Sequence, residues 1–105
     1  MQRFKLVCKP FPAELRDVYG FIVAENGKYL ILIDSNQDAR TQDRALRHEL
    51  AHMVLGHLDK TKPLIEIDPH NVEFGEGWEE REQEADSFAE RMTDAELAEL
   101  MQYAT

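Results

Sequence analysis

The stretch His48-Glu49-Leu50-Ala51-His52-Met53-Val54-Leu55-Gly56-His57 decides how the rest of the chain is read. Its first five residues have the pattern HExxH. Histidines four apart on an α-helix sit about 40° apart around the axis, so both imidazoles reach one zinc ion. The glutamate between them lies beside such an ion rather than on it. There it is placed to accept a proton from water that the ion has acidified. The surrounding residues are apolar on nearly every side: Leu46, Leu50, Ala51, Met53, Val54, Leu55 and Leu58. A helix with that pattern belongs at the centre of a domain. Two histidines and a glutamate inside it are costly to bury without a partner, which is itself an argument for a metal.

Working outward, this helix is expected from about residue 40 to Leu58, behind a loop, Ser35-Asn36-Gln37-Asp38, with helix-capping chemistry. Ahead of the loop stand two runs of strand formers, Val18 to Ala24 and Lys28 to Asp34, separated by Glu25-Asn26-Gly27. Asn-Gly between such runs predicts an antiparallel hairpin. The second run is almost wholly apolar, so both its faces are expected to be covered. It is either a fully paired inner strand or an edge open to an extended peptide. Phe4 to Val7 reads as a further short strand.

Beyond the helix, residues 59–76 form a long connection containing Pro63, Pro69 and Gly75, with Leu64 to Ile67 as a strand fragment. A second helix is predicted from Trp78 to Met92. Thr93-Asp94-Ala95-Glu96 has capping-box form and starts a third, ending near Tyr103. The fold class is therefore α+β. A small antiparallel or mixed sheet packs against a central HExxH helix and a second, ligand-bearing helix, in one domain of residues 1–105.

Composition narrows the function classes. The chain has 105 residues, 43% of them hydrophobic, and a formal net charge of −9. That balance argues against direct nucleic-acid binding, which calls for a basic stripe. Much of the acidity falls between Glu73 and Glu90. Cys8 is the single cysteine, so neither an internal disulfide nor a thiolate zinc site is expected. No stretch has the form of a signal peptide or membrane span, so a soluble cytoplasmic protein is expected.

A catalytic zinc needs a third protein ligand. His57 is the nearest candidate. On an uninterrupted helix, however, it lies about 180° from His48 and about 140° from His52. It reads instead as a histidine at the helix C-terminus, favoured there by the helix dipole. On the second helix Ala85, Phe88, Ala89 and Met92 recur at helical spacing and define the inward face. Glu82 falls about 70° from the middle of that face, and Glu84 about 90° away on the other side. Glu82 is the first choice for third ligand and Glu84 the second. Asp86, four residues beyond Glu82, is placed to hold a histidine N–H. Tyr103, His70 and Arg81 are candidate donors to a developing oxyanion.

These residues resemble the ImmA/IrrE family of zinc-dependent metallopeptidases. The resemblance rests on Ile33-Asp34-Ser35-Asn36, on Arg47-His48-Glu49-Leu50-Ala51-His52 with Gly56-His57, and on Glu82-x-Glu84-Ala85-Asp86-x-Phe88-Ala89. It implies a minimal zincin-like fold and a protease that cuts helix-turn-helix repressors in mobile-element immunity or stress responses. The chain departs from the family at Glu90-Arg91-Met92-Thr93-Asp94, which is polar where the family has an apolar segment ending in Met-Pro. The leading expectation is a zinc endopeptidase with Glu49 as general base and zinc on His48, His52 and Glu82. A zincin-like module that binds a regulator without cutting it is the alternative. A structural zinc with His70 as fourth ligand is a third reading, and it leaves Glu49 without a task.

Overall fold

The computed structural model describes residues 3–15, 18–25, 28–56 and 78–104. Three strands, β1 (Phe4–Lys9), β2 (Gly20–Glu25) and β3 (Lys28–Asp34), form one sheet in the order β1-β3-β2. Among the described residues between β1 and β2 lies a 3-10 turn, Ala13–Leu15. Among the described residues three helices follow: α1 (Ala39–Val54), α2 (Trp78–Arg91) and α3 (Asp94–Met101). The fold is α+β with a mixed sheet.

β2 and β3 pair antiparallel with Glu25 opposite Lys28, the register the Asn-Gly signal calls for. The Asn26-Gly27 turn itself lies outside the described residues. β1 is longer than the short strand expected and runs parallel to β3, with Phe4 beside Tyr29 and Cys8 beside Ile33. Of the two readings left open for it, β3 is the inner strand, paired on both sides, and offers no edge to a peptide. The edges belong to β1 and β2. At the start of β1 the C-terminal segment adds a bridge between Phe4 and Ala104, and the Phe4 N–H donates to the Tyr103 carbonyl.

The apolar sequence of β3 is explained by its position. Tyr29, Ile31 and Ile33 face the helices and join Phe4, Ile22, Ala24, Leu50, Met53 and Met92 in the core. Leu32, on the other face, is buried as well. Its cross-strand neighbour Phe21 packs against Phe11, ring centroids 5.4 Å apart. The helices lie close on the sheet. A methyl group on Gly20 would stand 2.9 Å from Ile33 Cδ1 and 3.3 Å from Ala45 Cβ, so glycine is what lets α1 approach β2.

Two local devices start the helices. The Asp38 carboxylate accepts from the Thr41 N–H at 2.7 Å, and the Thr93 hydroxyl accepts from the Glu96 N–H at 3.1 Å. The loop into α1 is pinned by buried Asp34, whose carboxylate accepts from the Gln37 amide and the Phe11 and Asn36 N–H groups. Those donors, Gln37 foremost, hold its pKa below the ordinary carboxylate value.

The end of α1 differs from expectation. The helix stops at Val54 rather than Leu58, because Gly56 takes a left-handed conformation, φ 70°, just past the C-cap Leu55. Val54 and Leu55 are exposed among the described residues, so the helix is not apolar on every side because every side is buried. His57, Leu58, His70 and the connection over residues 59–76, with its proposed strand fragment, lie outside the described residues. So does any test of His57 as a C-terminal histidine.

Candidate metal centre

The site forms where α1 crosses α2. Leu50 and Ala51, fully buried on α1, and Ala85, fully buried on α2, seat the two helices against sheet and neighbour. That seating turns one stripe of α1, His48 and His52, toward one stripe of α2, Glu82 and Asp86. The helical period supplies each stripe, since residues four apart share a face.

The donor atoms converge. His48 Nε2 stands 3.1 Å from His52 Nε2 and 2.9 Å from Glu82 Oε2, and His52 Nε2 stands 3.0 Å from Glu82 Oε1. One ligand atom from each of His48, His52 and Glu82 can be chosen so that all lie within 4.8 Å of one another. A four-coordinate zinc with bonds of about 2.0–2.1 Å holds its ligand atoms about 3.3 Å apart, close to these separations. The His48 Nδ1–H donates to Asp86 Oδ1 at 2.7 Å. That bond fixes the ring and turns Nε2 into the site. Two imidazole nitrogens 3.1 Å apart cannot both present lone pairs to each other, so a proton or a cation has to lie between them. A donor set of two imidazoles and a carboxylate fits a divalent ion such as zinc.

The electrostatics match that reading. Burial alone lowers the His48 pKa, but the Glu82 hydrogen bond and the charges of Glu49, Glu82 and Asp86 outweigh it and bring the pKa up to about 9. For Glu82, burial raises the pKa, and bonds from His48 and His52 overcome it and hold the carboxyl at about 2. The metal-free site thus stores a proton where a cation would sit. Glu49 is buried, 8% exposed, and its pKa is pushed up to about 7. Desolvation is the main cause, with Glu82 adding to it and His48 and His52 opposing. Carboxylates tuned toward neutrality suit proton transfer, and a cation alongside lowers the value again.

A pH dependence follows. Below about pH 9 the metal-free protein carries a proton on His48, which a metal has to displace. Between pH 7 and 9 the apparent metal affinity should rise about tenfold per pH unit, with about one proton released per ion bound. Calorimetric titration in buffers of different ionisation enthalpy measures both quantities. An affinity that is flat across that window would contradict the assignment.

The other candidates fall elsewhere. Glu84 is exposed on α2 and lines a shallow depression with Leu55, Gln83, Ser87, Phe88 and Arg91, away from the cluster. Tyr103 packs against the core beside β1, and Arg81 is exposed on α2. Sequence reasoning gave no role to Arg47, which the structure places at the junction of all three helices. Its Nε donates to Asp43 at 2.9 Å, Nη1 to the Met92 carbonyl at 2.6 Å and Nη2 to Asp94 at 2.6 Å. A short polar spacing, Asp43 four residues before Arg47, signalled only the first of these.

Among the described residues no helix is long and apolar enough to cross a membrane. A family profile described as the IrrE N-terminal-like domain, peptidase family M78, matches residues 1–104. No curated protein and no solved structure matches the chain.

Proposed function

The chain belongs to the IrrE N-terminal-like peptidase family, and from that premise we propose that it is a zinc-dependent endopeptidase acting on an intracellular transcriptional repressor of the helix-turn-helix type. The observation that carries the proposal is the convergence of His48, His52 and Glu82, with Glu49 buried beside them. His48, His52 and Glu82 would hold the ion, and Asp86 would hold the His48 ring through Nδ1. When bound, a zinc ion polarises a carbonyl and acidifies water. Glu49 accepts the proton of the attacking water and returns it to the leaving amine. Its burial keeps bulk water from competing for that proton.

The choice of partner rests on the family and on charge. A net charge of −9 suits a basic DNA-binding protein, and such complementarity speeds encounter. The decisive experiment incubates the metal-loaded protein with regulators encoded beside it, using Glu49→Gln as control and unfolded casein as comparator. Cleavage confined to such a regulator is expected. The association rate should fall steeply between low and physiological ionic strength, as the Debye length shrinks to about 8 Å. Absent binding, a salt-independent rate, or equally ready degradation of casein would refute a dedicated repressor protease. Biological effect that survives Glu49→Gln would favour the module that binds without cutting.

A further inference from the structure

We propose that Arg47 is the positioning residue that sets Glu82 opposite His48 and His52, by tying α1 to the corner where α2 turns into α3. This rests on the reading of those three residues as metal ligands. α1 and α2 run antiparallel along their contact: as the α1 partner advances from Arg47 through His48 to His52, the α2 partner retreats from Met92 through Asp86 to Glu82. Of these polar ties, only the one made by Arg47 leaves the ligand cluster out. It is therefore a connection that can fix the placement of Glu82 independently of the bonds within the cluster.

The geometry suits that task. Met92 and Glu82 are ten residues apart, about 15 Å along a helix at 1.5 Å per residue. A slip of α2 by one residue moves Glu82 by about 1.5 Å and turns it by about 100°, which takes its carboxylate out of reach of the histidines. Apolar packing between the helices fixes their separation without picking out a hydrogen-bond partner. The guanidinium is directional. Its planar fork takes the Met92 carbonyl and the Asp94 carboxylate from adjacent nitrogens, both at 2.6 Å, while Asp43 fixes its own stem from one turn back on α1. The Arg47 side chain is 15% exposed and its bond to the Met92 carbonyl is part-buried, while the Asp43 and Asp94 carboxylates stand in solvent. Met92 directly follows the last residue of α2, where the helix's carbonyl end favours a cation. Lysine in its place would keep the charge and lose the fork.

The test is a double-mutant cycle on metal affinity in the full chain. Zinc dissociation constants are measured by chelator competition for the unaltered protein, Arg47→Met, Glu82→Gln and the double variant. Urea unfolding of the metal-free forms runs alongside. Arg47→Met should weaken zinc about tenfold, and the same change should cost nothing further once Glu82 is glutamine. Arg47→Lys should remain weakened. Cobalt bound to Arg47→Met should show a visible spectrum displaced toward that of Glu82→Gln. Should Arg47→Met fail to fold, Asp94→Ala removes one arm of the tie from a side chain 97% exposed, and the same cycle applies. A folded Arg47 variant with undiminished zinc affinity overturns the proposal. So does a loss that adds in full to that of Glu82→Gln, since that is how a merely structural arginine behaves. Unchanged zinc affinity in Glu82→Gln alone overturns the ligand reading instead, and this proposal with it.

Discussion

Glu49→Gln is expected to lose about 10²- to 10⁴-fold in peptide hydrolysis while keeping its metal and its fold. Glutamine has nearly the shape of glutamate and cannot accept a proton. Glu49 is buried in the second half of α1, and its carboxyl is pushed up to about 7 by desolvation. Removing the charge therefore relieves a cost of burial, so the metal-free variant should be at least as resistant to urea as the parent at neutral pH. The sign follows from linkage. A carboxyl whose pKa is raised on folding destabilises the folded state above its unfolded value, near 4.5, and glutamine carries no such penalty. Cleavage rates and metal content, measured on one preparation, check both halves. Hydrolysis at the parental rate would remove Glu49 from the reaction.

The second large effect concerns the ion itself. His48→Ala, His52→Ala and Glu82→Ala should each lose metal by more than the 10- to 100-fold typical of residues that only orient a ligand. Glu84→Ala should retain it. His52 is the most buried of the three, its side chain 5% exposed, so its loss also leaves a cavity between α1 and α2. Elemental analysis after dialysis against excess metal reads the result. Full metal in Glu82→Ala, with loss in Glu84→Ala, would move the third ligand about 160° round the helix to Glu84 and break the convergence of His48, His52 and Glu82.

Much of this was legible because it is local. The HExxH spacing places His48 and His52 on one stripe through the helical period alone. Asp38 and Thr93 cap helices through hydrogen bonds that span three residues. The β2–β3 register follows from a two-residue connection. The same period on α2 ranked Glu82 ahead of Glu84, and the cluster contains Glu82. One local signal was missed: the apolar run through Leu58 argued for continuing the helix, and the left-handed Gly56 ends α1 at Val54.

What the sequence by itself determined, then, is the set of elements and which side chains share a face on each, because backbone sterics and the two helical and strand periods act within a few residues. Tertiary structure alone decided which faces meet. The parallel pairing of β1 with β3, which makes β3 an inner strand, joins segments about twenty-five residues apart and leaves no local trace. The meeting of His52 with Glu82 spans thirty residues and that of Arg47 with Met92 forty-five. Such contacts form only after the chain has closed loops at an entropic cost, and they are chosen by the shape and charge of whole surfaces rather than by any residue's neighbours in sequence. A guanidinium can reach many carbonyls, and only the packed helices single out Met92.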